Sequence, residues 1–224
     1  MRKLAIVGYG KMGRMIEALA PEYGFTIHAR IDVNDSMEAA RGADAAIEFS
    51  TPEAAVANIE KLAALNVPAV VGTTGWLGDM DRARAAVESH SGAMVWSPNF
   101  SIGVNVFSRL VKEAAKLLAD EPQYGAWAWE IHHHTKKDAP SGTLIKLVND
   151  MKAVGYPQVI SISSNRAGAH PGTHEIGFDS AADTITLRHS ARSREGFARG
   201  ALKAAQWIPG KKGVFEFGDI LFAR

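Results

Sequence analysis

An α/β domain with a mostly parallel sheet, joined to an α+β domain with an open mixed sheet, is the fold that the sequence predicts. Three observations carry it. Strand-like and helix-like periods alternate over the first hundred residues, a glycine-rich turn follows the first strand directly, and beyond Pro98 the pattern changes to one long amphipathic helix followed by several strands.

The elements read in order. Leu4-Ala5-Ile6-Val7 is an apolar run ended by Gly8-Tyr9-Gly10, as suits a buried parallel strand entering a tight turn. Met12, Met15, Ile16 and Leu19 recur at i, i+3, i+4 and i+7, one apolar face of a helix that Pro21 stops. Strands are expected at 26–31 and 45–49. Thr51 as N-cap and Pro52 at the first helical position open a helix that runs to Leu65. A fourth strand at 69–71, a helix at 79–89 and a fifth strand at 94–96 complete an alternation that requires crossover connections.

After Pro98, residues 103–118 read as one amphipathic helix. Residues 126–132 alternate, with Trp127, Trp129 and Ile131 on one face and Glu130 and His132 on the other. A helix begins near Ser141, and strands are expected at 159–163, 173–178 and 184–188. The tail, a helix at 197–208 and a strand at 214–217, is assigned back to the first domain. The expected division is therefore 1–102 with 195–224 as the first domain, and 103–194 as the second.

Composition narrows the function. The chain has no cysteine, which excludes a disulfide framework, a thiolate metal site and a cysteine nucleophile. Its net charge of +1 argues against a broad nucleic-acid surface. No apolar run approaches the ~20 residues of a membrane span, and the N-terminus carries no signal-peptide core. The composition is that of a cytoplasmic globular protein.

Gly8-Tyr9-Gly10-Lys11-Met12-Gly13 fits G-x-G-x-x-G at a strand-to-helix turn, the fingerprint of a Rossmann-type domain. Glycines there allow a tight turn and close approach to a pyrophosphate, which the helix N-terminus attracts. Asp32 follows the first glycine by 24 positions and suits the adenosine ribose hydroxyls of a nicotinamide dinucleotide. Lys11 and Arg30 can instead meet a 2′-phosphate, so the expected cofactor is NADH, NADPH or both. Two further loops end the third and fourth strands, Phe49-Ser50-Thr51-Pro52 and Gly72-Thr73-Thr74-Gly75, and offer Ser50, Gly72, Thr73 and Thr74 to the cofactor. Thr51 reads mainly as a cap.

The most informative stretch is Glu130-Ile131-His132-His133-His134-Thr135-Lys136-Lys137-Asp138-Ala139-Pro140-Ser141-Gly142-Thr143. On a strand, adjacent side chains point to opposite faces, so only His132 and His134 share a side, and the two lysines repel a cation. No metal is expected. The better reading is an anion pocket with a proton donor. Histidine titrates near neutral pH, Lys136 supplies positive charge, and Ser141-Gly142-Thr143 opens a helix whose hydroxyls and N–H groups can hold a carboxylate.

At these residues the chain resembles the 4-hydroxy-tetrahydrodipicolinate reductase (dihydrodipicolinate reductase) family. Residues 130–143 match its E-x-H-H-x-x-K-x-D-A-P-S-G-T signature at every fixed position, and residues 98–105, 72–75, Ser193-Arg194, Phe197 and Gly200 are similar to further family motifs. The resemblance implies NAD(P)H-dependent reduction of a small cyclic dicarboxylate in the diaminopimelate route of lysine biosynthesis, with hydride from nicotinamide and a proton from His132. It implies that Lys136 assists proton delivery and substrate binding. His133, Lys136, Ser141, Gly142 and Thr143 would line the pocket for two carboxylates, and Gly8, Gly13, Asp32, Gly72, Thr74, Asn99 and Phe100 would contact the cofactor. It further implies a hinge near Phe100–Gly103 and Arg194, and a homotetramer built through the second sheet. That assembly would explain Trp127 and Trp129, as would core packing against a helix. Lys11 stands where the family usually has Arg and Glu48 where it more often has Asp. The chain is also shorter than many members, a compact form. Two rivals stay open: another two-domain amino-acid dehydrogenase, such as an aspartate dehydrogenase, and a regulator that senses NAD(P) without turning it over.

Overall fold

The structure, a computed structural model, describes residues 1–223; the expected domain end at residue 224 lies outside them. The chain divides into two compact units, Met1–Ile102 with the segment from Glu195 onward, and Gly103–Arg194.

In the first unit the strands are β1 (Arg2–Val7), β2 (Phe25–Ile31), β3 (Ala45–Glu48), β4 (Ala69–Val71), β5 (Ala93–Trp96) and β10 (Gly213–Glu216). All pair in parallel, in the order β10-β5-β4-β3-β1-β2. The helices are α1 (Lys11–Leu19), α2 (Pro52–Ala64), α3 (Met80–Ser89), α6 (Glu195–Trp207) and α7 (Phe217–Phe222). Because successive strand residues face opposite ways, the apolar runs feed two layers. Leu4 and Ile6 of β1 join Ile47, Val70 and Val95 beneath Ile16, Ala201 and Leu202 of α1 and α6. Ala5 and Val7 join Ala46, Val71 and Met94 beneath Val56, Ile59 and Leu62 of α2 and Val87 of α3. Four buried alanines and a glycine bring α6 close to the sheet, and a Cβ on Gly200 would strike the carbonyl of Phe100.

Local chemistry refines three expectations. Pro21 ends α1, but the chain continues as a 3-10 turn over Ala20–Tyr23 before Gly24 turns it at φ +75. Thr51 stands at the N-cap of α2, yet its hydroxyl makes no capping bond; its carbonyl accepts from Ala54 and Ala55 instead. Phe217, expected at the end of a strand, opens α7, because its ring anchors in the core while Ile220 and Leu221 pack there at i+3 and i+4. A helix of six residues carries too little periodicity to be read from sequence.

In the second unit α4 (Ile102–Leu117) precedes β6 (Gly125–His132), α5 (Gly142–Ala153), β7 (Ile160–Arg166), β8 (Thr173–Asp179) and β9 (Thr184–Ser190). The sheet order is β7-β6-β8-β9, with β6 and β7 parallel through the α5 crossover and the other pairs antiparallel. One face is covered: Ala126, Ala128, Ile176 and Phe178 pack on Phe107 and Val111 of α4 and on Leu144, Leu147 and Met151 of α5. The tryptophans are on the other face. Trp127 lies over Gly177, where a Cβ would overlap the indole, and Trp129 donates to Asn165 at 2.6 Å with Arg188 above its ring. Helix packing therefore does not account for them.

Candidate active site

The first unit's site is built at a topological switch point. From β1 the chain crosses to β2 on one side and returns to β3 on the other, so the carboxyl ends of β1 and β3 part to leave a crevice. Gly8 occupies that end at φ +87, and a Cβ on it would collide with the backbone of Phe49 and Ser50. A Cβ on Gly13 would meet the carbonyl of Gly8. Gly10 has open space instead, and as N-cap of α1 it provides no side-chain acceptor for the first-turn N–H groups, near which no acid lies. Uncapped N–H groups beside open space are the donor set that a pyrophosphate needs, so these residues fit a dinucleotide. Lys11 is exposed, Met12 packs into the core edge, and Asp32 is exposed beyond β2, its Oδ1 accepting from Val33 N at 3.0 Å.

Arg30 is committed elsewhere. Its guanidinium grips Glu17 with its Nε at 3.0–3.2 Å and with Nη2, and it lies 5.9 Å from the centre of the Tyr9 ring, whose hydroxyl also binds Glu17. The Arg30 bond holds the Glu17 carboxyl down at about 2, Tyr9 adding to it. Neither Glu17 nor Tyr9 was singled out by the sequence, although Glu17 follows the motif by one helical turn.

The loops after β3 and β4 are tied together more than they are open. Ser50 N donates to Thr73 Oγ1 at 2.8 Å and its hydroxyl binds Glu48, whose buried carboxylate also accepts from Asn58 at 3.3 Å. The Phe49 ring fills the space beside Gly72, Thr73 is buried with its carbonyl accepting from Trp76 Nε1 at 2.8 Å, and Thr74 is exposed. Asn99 lies in a local turn through Ser97 and Ser101, and Phe100 is a core residue 4.9 Å from Phe217, ring centre to ring centre. Any cofactor contact of Phe100 is thus a backbone one.

The second unit's site is organised by a residue that the sequence placed only on the same strand face as His132. Glu130 is completely buried on the helix-covered face of β6. Its Oε1 accepts from Ser141 N at 2.8 Å, Arg166 Nη2 at 2.9 Å and Ser164 Oγ at 3.0 Å. Its Oε2 accepts from Ser141 Oγ and lies 3.5 Å from His132 Nδ1 and 3.4 Å from His174 Nε2. Burial pushes this carboxyl upward, but bonds from His174, Ser141 and Arg166 outweigh it and hold it well below the usual carboxylate range.

His132 is buried, and its ring packs edge-on to His174 with centroids 5.1 Å apart. Burial pushes its pKa down to about 4; Glu130 opposes this, while the neighbouring His174, Lys136 and Arg166 add to it. Lys136 thus disfavours protonation of His132 in the pocket before substrate binds. Lys136 itself pairs with Asp138 at 2.7 Å. His133 is half-buried and bonds Thr135 at 2.7 Å, while His134 points to solvent and to the carbonyl of Gly168 at 2.8 Å.

Ser141 does cap α5, accepting from Leu144 N at 3.2 Å, but it is buried and fully used by Glu130 and His174. Gly142 is exposed and Thr143 half-exposed in the first turn, the part of that helix start open to an anion. Three residues were missed: Arg166, His174 and Ser164. His174 had a signal, since it alternates with Ile176 and Phe178 on the inward face of its strand. Its place opposite Glu130 is a matter of strand register. Glu130, His132 and His174 present ligand atoms within 4.8 Å of one another, a spacing a metal can bridge, although Arg166 already neutralises the carboxylate.

Comparison with known proteins places this geometry. Residues 2–100 match a family model described as dihydrodipicolinate reductase, N-terminus, and residues 103–221 match its C-terminus. A 4-hydroxy-tetrahydrodipicolinate reductase of Christiangramia forsetii is 36% identical over 97% of both chains, and one of Anaeromyxobacter dehalogenans is 38% identical over 86% of this chain and 77% of its own. Among solved structures, a dipicolinate-bound dihydrodipicolinate reductase from Paenisporosarcina sp. TG-14 superimposes with a TM-score of 0.82 over 98% of this chain and 99% of that one, at 21% identity. An aspartate dehydrogenase from Thermotoga maritima reaches only 0.52 at 12% identity, over 94% of this chain and 98% of that one, a likeness of fold alone. With both halves of the family model matched in order along its length, the chain belongs to the dihydrodipicolinate reductase family.

Proposed function

We propose that the chain reduces 4-hydroxy-tetrahydrodipicolinate with NADH or NADPH, and that His132 is the proton donor. The observation that carries the proposal is a buried imidazole on an anionic hub, beside a lysine and the open first turn of a helix, within a family of reductases. When bound, the nicotinamide supplies hydride. The α1 N-terminus with Gly8, Gly10 and Gly13 holds the pyrophosphate, Lys11 and Met12 flank it, and Asp32 accepts from the ribose. Ser50, Gly72, Thr73, Thr74, Asn99 and Phe100 shape the remaining surface through backbone and loop contacts. Lys136, His133 and the N–H groups of Gly142 and Thr143 hold the substrate carboxylates, while Ser141 fixes the helix start to Glu130.

A dicarboxylate brings two negative charges beside His132, and those charges favour its protonated form. The acid is therefore formed on substrate binding and returns its proton to the reduced ring. The face carrying Trp127 and Trp129 is the surface through which a homotetramer forms, and the cytoplasm is the expected compartment; among the described residues no helix is long and apolar enough to cross a membrane.

Loss of NADH absorbance on adding the condensation product of pyruvate and aspartate semialdehyde tests the activity. Cofactor binding without consumption would favour a sensor, and consumption with oxaloacetate and ammonia instead would favour an aspartate dehydrogenase. In Lys136→Ala, KM should rise and kcat should fall, because the lysine holds the carboxylates whose charge protonates His132.

A further inference from the structure

The carboxylate of Glu130 lies between two imidazoles. The strand register makes this a row rather than a coincidence: Ser164, Glu130, His174 and His189 are successive cross-strand partners on β7, β6, β8 and β9, and His132 stands two residues along β6 from Glu130. Nδ1 of His132, His174 and His189 has no hydrogen-bond partner, although all three atoms are buried. Such groups are sites at which a proton can be taken up without breaking an existing bond.

We infer that Glu130 and His174 are positioning residues that act through His132: with it they form a buried set that takes up one proton each time a dicarboxylate binds. This rests on the reading of His132 as the acid. Glu130 stays ionised throughout, and its Oε2, 3.5 Å from His132 Nδ1, favours a proton on that ring, while His174 Nε2 stands 3.4 Å from the same oxygen. The groups facing the set are Arg166 on β7, which neutralises Oε1; His189 on β9; Ser141 at the start of α5; and Lys136, paired with Asp138, from the loop after β6. In the unliganded set the positive neighbours prevail and His132 is neutral near pH 7. Two substrate carboxylates reverse that balance. The proton comes from solvent on binding and passes from His132 to the substrate carbon in turnover, which leaves His132 neutral as in the unliganded set, so one proton enters per proton delivered.

Calorimetric titration of the full chain with pyridine-2,6-dicarboxylate, in phosphate and in Tris at pH 7.5, reads the proton count from the difference in heats. About one proton should be taken up per ligand bound. Uptake should fall below half a proton in Glu130→Gln, and Glu130→Asp should recover part of it. Should Glu130→Gln fail to fold, His174→Gln keeps an amide donor toward Glu130 and Ser141 while removing the imidazole. Its kcat should fall about tenfold at pH 8 and no more than two- to threefold at pH 6, whereas a merely structural role would lower both equally. No proton uptake by the unaltered chain, or equal losses at both pH values in His174→Gln, would overturn the inference. The underlying reading has its own test: His132→Gln retaining turnover would remove the acid, whereas turnover lost in His132→Gln without proton uptake by the unaltered chain removes only the set.

Discussion

The two units handle charge in opposite ways. The glycine loop of the first is a backbone site: its essential features are one positive φ, two places where a Cβ would strike a carbonyl, and a helix start left uncapped. The cluster of the second is a side-chain site, in which one carboxylate receives Ser141, Ser164 and Arg166 and lies between two histidines. A backbone site tolerates many side chains but few added atoms. A side-chain site is the reverse, since several partners converge on one buried carboxylate and removing that carboxylate leaves them unpaired away from water.

That contrast can be broken most strongly at His132. Its replacement by Gln should lower kcat by ~10²–10⁴-fold, the usual worth of a placed proton donor, with dipicolinate affinity changed by no more than about threefold; equal turnover would end the assignment. In the first unit, the glycines should separate. Gly8→Ala should cost about 1–3 kcal/mol from the left-handed backbone alone, with the collision at Phe49 adding to it, read as a fall in the denaturation midpoint. Gly10→Ala should leave stability near that of the parent and weaken NADH binding, because only bound phosphate needs that space.

Acid should act on the second unit first. The folded pKa of His132, about 4, lies below its ordinary value of 6.5, so the folded protein resists the proton that the unfolded chain accepts. Stability is then fully present above pH 6.5 and is lost as pH falls toward 4, by on the order of 2 kcal/mol at ~1.4 kcal/mol per pKa unit after allowance for partial screening. Glu130, depressed far below its ordinary 4.5, extends the loss below that pH. Urea midpoints measured from pH 7.5 to 4 should show this slope, and His132→Gln should flatten it above pH 4.5. The smallest effect is expected at Glu17. Glu17→Gln should release Arg30 from its ion pair and raise the ratio of NADPH to NADH kcat/KM by about three- to tenfold; an unchanged ratio would mean that Arg30 does not reach the 2′ position.

Much of this was legible because local pattern and tertiary role coincide. Leu4 to Val7 cannot be anything but buried, and a G-x-G-x-x-G turn after such a strand has one well-known use. The alternation of Trp127 to His132 separated the two faces of β6 correctly. Where the reading fell short, the reason was long-range. Arg30 looked free for a phosphate until α1 brought Glu17 against it. Ser141 looked like a ligand until its hydroxyl was found between Glu130 and His174. Lys136 was legible as a charge in the pocket, but that it lies close enough to His132 to disfavour the imidazole's protonation before substrate binds was not.

The sequence by itself determined the order of elements, the parallel and mixed sheets, the glycine turn and the stretch 130–143 as the centre of chemistry, because periods of two and 3.6 residues and turn residues are local properties of the chain. Only the tertiary structure decided which charges meet. Strand register set Glu130 opposite His174, 44 positions away, and packing removed both from water. A proton's preference among buried groups depends on that distance and that desolvation, neither of which is written along the chain.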